Sequence, residues 1–438
     1  MARRNGWCQW LVFIKILCDG QMATQVDLLV WNIQNFGQLK SGLKDSKCNL
    51  TQAIAQVISA SEPDIFCLVE LNTTSESRAY KICDALMEAL AAEKSAFDIC
   101  LLSPNTGKEF YAFFVRDTTF VVPLEMSGPA VGGSVSMEIG GPGGVAITAA
   151  EFSPAPTPMN GIVLNAFPLI YPDKPAASPT TWPGTRGSAL GMFYVPGADP
   201  GNELLPIMLV HLAAKRSAAL KQLETIEDFS LFYSLRPHGA GGLSMMVQLP
   251  GQPAPVATQI YQAVIAGDFN LDAKKNAGDY DWVTTAGASG GLGAQLLFDE
   301  PTHLMTFPRF ARSTRRDRRD LAINAYDNVI LQTSPAAPAP AQGQNQQVDN
   351  ILNRVRKRQF QYGNAVDYYD KLDRRGFASF WDKKRKRVFT SKEYRVFTKN
   401  FAVQLGRGDQ STFVTPEAGL VGARLISDHE PIFVELHL

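Results

Sequence analysis

Nearly continuous apolar runs alternate with amphipathic segments along the first two thirds of the chain. Val26–Ile33, Ile65–Leu71 and Ile207–Leu212 are apolar runs of strand length, a pattern typical of strands that are buried on both faces. Asn49–Ser59 and Arg78–Leu90 instead place apolar residues at helical spacing. Because several predicted strands also follow one another directly, the pattern favours a mixed α/β protein.

The same pattern predicts the remaining elements of the core. Further strands are predicted at Phe97–Leu102, Phe110–Val115, Thr119–Pro123, Ile162–Ile170, Ala189–Val195, Tyr261–Phe269, Asp327–Leu331 and Pro431–Leu436. Ser217–Phe232 is predicted as one helix and Pro237–Pro255 as a Gly/Pro-rich loop. Two packed sheets flanked by helices would bury both faces of these strands. We therefore expect a four-layer α/β/β/α sandwich of two mixed sheets.

Two segments interrupt this pattern. Residues of about 125–185 are rich in Gly and Pro, and about 332–415 begin with the Pro/Ala/Gln-rich stretch Thr333–Gln347 and continue as a basic segment. Strand-like sequence resumes after each, so we expect both to be insertions in one domain spanning 22–438.

The first 21 residues are an uncertain N-terminal extension. A short apolar run follows Arg3 and Arg4 and faintly resembles a signal peptide, but Lys15 interrupts it. A start at Met22 is the alternative interpretation. The six cysteines contain no C-x-x-C pair, so we expect a reduced, cytoplasmic protein without a zinc site. No apolar run is long enough to span a bilayer, and no stable membrane association is expected.

Charge is distributed unevenly along a chain whose formal net charge is zero. The segment Arg309–Lys399 contains 21 Lys/Arg against 9 Asp/Glu, a net charge of +12, and the rest of the chain carries −12. This asymmetry favours a polyanionic partner for the basic part. The run KKRKR at 383–387 has three interpretations that stay open: a solvated surface, a nuclear-import patch and a DNA-tracking surface.

Polar side chains stand at the ends of the predicted strands. These residues are Asn32, Glu70, His211, Asp268, Asn270, Asp327, Asp428 and His429. Side chains at strand ends can converge on one rim of a sandwich, where clustered carboxylates repel one another unless a cation lies among them. Oxygen ligands of this kind suit Mg²⁺ or Mn²⁺. Singly, each has an ordinary structural explanation, and His238, His303 and His437 are expected to be structural only.

Six motifs in order strengthen this interpretation. They are WNIQNFG, CLVELN, LVHLAAK, AGDFNLD, AYDNVIL and SDHEPI. In these motifs the chain resembles the endonuclease/exonuclease/phosphatase superfamily, and most closely its deoxyribonuclease I branch. The resemblance covers roughly 26–331 and 425–438.

The resemblance implies roles for individual residues. The implied catalytic residues are His211, Asp268, Asn270, Asp327, His429, Glu109 and Tyr111. Glu109 would orient His211, and Asp327 would pair with His429. The implied metal ligands are Glu70, Asn32, Asp268, Asn270 and Asp428, and Arg186 and Asn32 would contact the substrate. Whether Asp268 or a histidine is the general base stays open.

The resemblance implies an Mg²⁺- or Mn²⁺-dependent phosphodiesterase. We expect an endonuclease that hydrolyses DNA with low sequence specificity, and hence nucleic acid as its partner. Asn328 stands where the superfamily often has Arg or His, which leaves one phosphate contact open. Two alternatives remain: a phosphodiesterase or phosphatase acting on RNA, lipid headgroups or small phosphorylated molecules, and a binding module with a degenerate site.

Overall fold

The fold is known from a computed structural model that describes most of the chain between residues 24 and 345 and its C-terminus. The described residues are 24–44, 46, 49–73, 75–103, 109–127, 151–154, 162–164, 187–227, 230–235, 243–249, 252–285, 291–298, 301–304, 322–337, 342–345, 427 and 429–438. Most of the two predicted insertions and all of residues 1–21 therefore lie outside the described residues.

Strands outnumber helices in the described part of the chain. The strands are β1 Gln25–Phe36, β2 Ile65–Leu71, β3 Ile99–Leu102, β4 Phe110–Val115, β5 Val122–Ser127, β6 Glu151–Pro154, β7 Ile162–Leu164, β8 Ser188–Tyr194, β9 Leu204–His211, β10 Leu243–Val247, β11 Val256–Ile260, β12 Gln262–Asp268, β13 Gln295–Phe298, β14 His303–Leu304, β15 Ala322–Asn324, β16 Asp327–Thr333, β17 Gln342–Asn345 and β18 Ile432–His437. The helices are α1 Thr51–Ser61, α2 Glu76–Ala92, α3 Arg216–Glu227, α4 Ser230–Leu235 and α5 Asp281–Thr284, with a 3₁₀ turn at Ala277–Tyr280.

Two mixed sheets contain nearly all of these strands. The first has the order β17-β18-β1-β2-β4-β3-β7, and the second has the order β11-β10-β6-β5-β8-β9-β12-β16-β13. β1 pairs parallel with β2 and antiparallel with β18. In the second sheet β12 lies between β9, which is parallel to it, and β16, which is antiparallel.

The strands are buried on both faces, as their continuous apolar sequences predict. In β2 the alternate residues Ile65, Cys67 and Val69 belong to the core between the sheets. Phe66 and Leu68 point the other way and pack with α1 and α2. Helices α3 and α4 contribute to the core with the second sheet. The predicted four-layer α/β/β/α sandwich is confirmed.

Two local expectations from the sequence were wrong. The predicted loop Pro237–Pro255 contains β10, which pairs antiparallel with β11, and the predicted linker Thr333–Gln347 contains β17, which pairs with β18. β17 lies at the edge of the first sheet, and β10 lies next to the edge of the second, between β11 and β6. Short strands in such places are held by backbone hydrogen bonds to their neighbours, so they need no long run of apolar residues. The single helix predicted over Ser217–Phe232 is described as two, α3 and α4.

The cysteines and helices of the described part bear on two other expectations. Cys67, Cys83 and Cys100 are buried free thiols, whereas Cys8, Cys18 and Cys48 lie outside the described residues. Among the helices the structure describes, none has the length and apolar character needed to cross a membrane.

Candidate active site

The register of the second sheet gathers three of the predicted residues. At the end of β12, Asp268 pairs with His211 of β9 on one side and with Asp327 of β16 on the other. Facing residues of adjacent strands have their side chains within contact range. The sheet alone therefore places an imidazole and a second carboxylate beside Asp268.

Gly267 allows β12 to approach β9 closely just before Asp268. A Cβ atom at this position would lie 2.1 Å from the carbonyl oxygen of Val210, and the residue has a φ of +133°. Only glycine tolerates both conditions. The motif AGDFNLD thus needs its glycine because this residue allows Asp268 to lie next to His211.

The first histidine joins the two sheets through a carboxylate. His211 Nδ1 lies 2.9 Å from Oε1 and 3.1 Å from Oε2 of Glu109, and both side chains are buried. Glu109 immediately precedes β4 of the first sheet. Burial alone would lower the pKa of His211, but the hydrogen bond to Glu109 and the negative charges of Asp268, Glu109 and Glu70 together raise it above its ordinary value.

The second histidine forms a matching pair. His429 Nδ1 lies 2.7 Å from Oδ2 of Asp327, and the hydroxyl of Thr302 donates to the same oxygen. Ser427 Oγ accepts a hydrogen bond from the backbone N–H of His429 at 3.1 Å. The indole Nε1 of Trp31 donates to the His429 carbonyl at 2.9 Å. The pair again joins the sheets, because Asp327 opens β16 and His429 precedes β18.

Asp268 lies between the two histidines. Its Oδ2 atom is 3.5 Å from His211 Nε2 and 3.6 Å from His429 Nε2, and it accepts a hydrogen bond from Asn32 Nδ2 at 2.9 Å. Burial raises the pKa of Asp268, as does the charge of Asp327, although the two histidines act in the opposite direction. A buried carboxylate with a raised pKa is suited to take up a proton.

The Asn32 side of Asp268 has the oxygen donors that a hard cation requires. Oδ1 of Asn32 is buried and has no hydrogen-bond partner among the described residues, which is costly unless something else binds there. Glu70 is on the neighbouring strand β2, where Val69 pairs with Asn32, and it adds negative charge near His211. The donor set of Asn32, Glu70 and Asp268 fits Mg²⁺ or Mn²⁺.

A different group of ligand atoms also lies close together. Asp268, Asp327 and His429 each offer one atom within 4.8 Å of the others, and this group shares only Asp268 with the set predicted from the sequence. Oδ2 of Asp327 already accepts hydrogen bonds from His429 and Thr302, and a cation bound there would disrupt them. We therefore favour the Asn32 side for the cation.

Three residues at this rim have a left-handed backbone. Asn35, Glu70 and Asn270 have φ values of 53°, 68° and 51°, a region that residues other than glycine seldom adopt. The backbone N–H of Asn35 donates to Oε1 of Glu70 at 3.1 Å. Such conformations often occur at functional sites, where surrounding contacts hold them in place.

Asn270 supports the rim through its amide. Its backbone N–H donates to Asp268 Oδ1 at 2.8 Å, and its side-chain Nδ2 donates to the Leu212 carbonyl at 2.9 Å. In the described contacts its amide nitrogen therefore braces the chain just after His211.

The side chains of Tyr111 and Asn328 form hydrogen bonds with other residues of the protein. Tyr111 is fully buried, and its hydroxyl donates to the carbonyl of Gly187. Asn328 is also buried, and its Nδ2 donates to the hydroxyl of Tyr280 at 2.7 Å. The amide nitrogen of Asn328, where the sequence left a phosphate contact open, is thus hydrogen-bonded to Tyr280.

Arg186 and Asp428 lie outside the described residues, so their predicted roles stay predictions. Sequence reasoning, in turn, missed Thr302 and Ser427. Ser427 belongs to the motif SDHEPI and could have been noticed there. Thr302 belongs to no motif, and only the folded chain brings its hydroxyl to Asp327.

No protein-family model and no curated protein matches the sequence. Among solved structures, truncated TDP2 from Caenorhabditis elegans is 11% identical, with 94% of this chain and 98% of that chain covered and a TM-score of 0.38. TDP2 from D. rerio complexed with single-strand DNA product is 12% identical, with 74% and 89% covered and a TM-score of 0.37.

A third solved structure carries the name that the sequence motifs suggest. An endonuclease/exonuclease/phosphatase family protein from Bacteroides thetaiotaomicron is 14% identical, with 74% of this chain and 87% of that chain covered and a TM-score of 0.38. At these TM-scores the likeness assigns no residue role and no substrate to this chain.

Proposed function

We propose that this protein is a divalent-metal-dependent phosphodiesterase, an endonuclease that hydrolyses DNA with low sequence specificity. One observation carries the proposal: a buried carboxylate, Asp268, lies within 3.6 Å of two histidines, and each histidine is paired with a second carboxylate. This arrangement supplies a base and two proton donors around one point, as hydrolysis of a phosphodiester requires.

Asp268 acts as the general base. Its burial raises its pKa, which brings its basicity closer to what proton removal from water requires. The oxygen of that water attacks phosphorus while its proton passes to Asp268. The hydrogen bond from Asn32 orients the carboxylate toward the centre of the site.

The two histidines act as donors through Nε2. Each has its Nδ1 turned to a carboxylate, so the proton on Nδ1 is held there and Nε2 faces Asp268. The raised pKa of His211 favours its imidazolium form, which donates a hydrogen bond to a non-bridging phosphate oxygen. His429 gives its Nε2 proton to the leaving oxygen as the phosphorus–oxygen bond breaks.

Asn32 and Glu70, with Asp428 from the sequence prediction, would hold the cation beside Asp268, whose carboxylate takes up the proton. A divalent cation bound there would polarise the phosphoryl oxygen and neutralise the negative charge that develops during the reaction. Chelation with EDTA should abolish hydrolysis, and added Mg²⁺ or Mn²⁺ should restore it.

DNA is proposed as the substrate because the positive charges of the chain are concentrated in one segment. The basic segment Arg309–Lys399 has a net charge of +12, which suits a long polyanion better than a small phosphorylated molecule. Binding to DNA should weaken steeply as salt rises, because each phosphate contact releases counterions. A substrate such as an inositol phosphate would show a much shallower dependence.

Nicking of supercoiled plasmid in Mg²⁺ or Mn²⁺ tests the proposal. RNA, sphingomyelin and inositol phosphates are assayed beside it, and faster turnover of one of these would replace DNA as the substrate. His211→Ala and Asp268→Ala should abolish nicking, whereas His437→Ala, on β18 opposite Gln25, should not change it. A folded protein that hydrolyses none of these substrates, or wild-type activity in both site variants, would overturn the proposal.

A further inference from the structure

We propose that His303 is a positioning residue that holds the ring of His429 in its working orientation. The inference rests on the proposed function for its kinetic test and on the structure alone for its spectroscopic test. The sequence suggested only a structural role for His303, since it lies in none of the six motifs.

The rings of the two histidines are in direct contact. Their centroids are 5.1 Å apart and their planes meet at 78°, an edge-to-face arrangement that aromatic pairs favour. The backbones of the same two residues also form an antiparallel bridge. His303 and His429 are therefore in contact through both their backbones and their rings.

The residue before His303 reaches the partner of His429. The hydroxyl of Thr302 donates to Asp327 Oδ2, and the Thr302 carbonyl accepts a hydrogen bond from the backbone N–H of Glu430 at 3.0 Å. Thr302 and His303 together thus touch both members of the His429–Asp327 pair.

His303 is itself held from the other side. It pairs with Asn324 across β14 and β15, and Asn324 Nδ2 lies 3.4 Å from His303 Nδ1. The ring of Tyr326 packs on His303 with centroids 5.2 Å apart. Lys275 Nζ donates to Asn324 Oδ1 and lies 2.6 Å from Asp272 Oδ2, which anchors Asn324.

A ring contact is needed because one hydrogen bond does not fix the plane of an imidazole. A hydrogen bond tolerates a range of angles, and the torsion about the Cβ–Cγ bond of histidine is broad. The His429 ring can therefore pivot about its Nδ1 contact with Asp327, and its Nε2 then moves. Small displacements of a reacting group cost large factors in rate. The edge of His303 restricts this motion and keeps His429 Nε2 near Asp268.

A double-mutant cycle measures whether His303 acts through His429. His303→Ala should lower kcat for plasmid nicking by about tenfold with little change in KM. In the His429→Ala background the same substitution should change kcat by less than about twofold, because the residue it positions is gone. An equal loss in both backgrounds, or no loss in the wild-type background, would overturn the inference.

Two further variants separate positioning from general destabilisation. His303→Phe keeps an aromatic edge against His429 and should recover most of the activity lost in His303→Ala. His437→Ala removes a histidine from the far end of β18 and should leave kcat unchanged. Failure of His303→Phe to recover activity, in a variant that unfolds at the wild-type temperature, would contradict the positioning role.

Histidine-ring NMR tests the same idea without any turnover. The chain has five histidines, so single substitutions assign every ring signal. In His303→Ala the His429 ring signal should broaden or split as the ring gains freedom, while the His211 signal should stay sharp. A His429 signal that stays single and sharp would overturn the inference. Absence of hydrolysis in the wild-type protein would instead overturn only the proposed function.

Discussion

The two histidines of the site reach Asp268 from differently built supports. His211 is the last residue of β9, where pairing with both β8 and β12 holds the backbone, and Glu109 orients its ring. His429 precedes β18 and lies outside the regular strands. Its backbone and ring depend on separate contacts with Trp31, Ser427, Asp327 and His303.

The difference shows what each position needs. A histidine within a paired strand has its backbone fixed by the sheet, and in His211 the carboxylate of Glu109 then orients the ring. A histidine on an irregular segment needs several tertiary contacts to reach the same precision. Changes in the surroundings should therefore harm His429 more easily than His211.

The largest effect is expected from a change at Asp268, which both histidines face. Asp268→Asn removes the base and the charge shared by the two histidines, and should lower kcat by on the order of 10²–10⁴. Plasmid nicking at saturating Mg²⁺ measures it. Activity within tenfold of the wild-type protein would mean that a histidine, and not Asp268, takes the proton from water.

Leaving-group chemistry should separate the two histidines. A p-nitrophenyl ester of thymidine phosphate has a leaving group that needs no protonation, so His429→Ala should lose little activity on it. On DNA the same variant should lose on the order of 10²–10⁴ in kcat. His211→Ala should lose similar factors on both substrates, because its hydrogen bond to phosphate is needed in each. If the two variants lost activity on the two substrates in the same proportions, His429 would not be the residue that protonates the leaving group.

The Glu109 contact should be visible in the pH profile. The pKa of His211 is raised despite burial, mainly through Glu109 and then Asp268, so the imidazolium persists until the pH rises through this raised value. Glu109→Gln removes the charge and lowers that pKa. The basic limb of kcat/KM should therefore move to lower pH, with activity falling about 10–100-fold.

Asp327→Asn is the control for this shift. It removes the partner of His429 and should lower activity without moving the limb assigned to His211. A basic limb that stays in place in Glu109→Gln, or moves to higher pH, would show that His211 does not work as an imidazolium.

The smallest effect is expected from Thr302, whose hydroxyl contacts His429 through Asp327. Thr302→Val keeps the side-chain shape but removes the hydroxyl that donates to Asp327, and should lower kcat by about threefold to tenfold. Thr118→Val removes a hydroxyl from an exposed turn and should have no effect. If Thr302→Val is as active as Thr118→Val, the extra contacts around His429 are redundant.

Much of the site could be predicted from sequence because its residues stand in motifs. The positions of Asn32, Asp268 and His429 after or before apolar strands indicated one shared rim, and the contacts bring them together. The resemblance also paired Glu109 with His211 and Asp327 with His429, and the distances agree with those pairs. Thr302 and His303 could not be found in this way, because β14 is two residues long and carries no periodic pattern.

The sequence by itself determined the layered fold and the kinds of side chain at the strand ends. Apolar runs that must be buried on both faces require two covered sheets, and Gly267 is demanded by the close approach of β12 and β9. Only the tertiary structure decided how each histidine is oriented. A ring's direction depends on hydrogen bonds and ring contacts between residues as far apart in the chain as Trp31 and His429, and no local pattern encodes those.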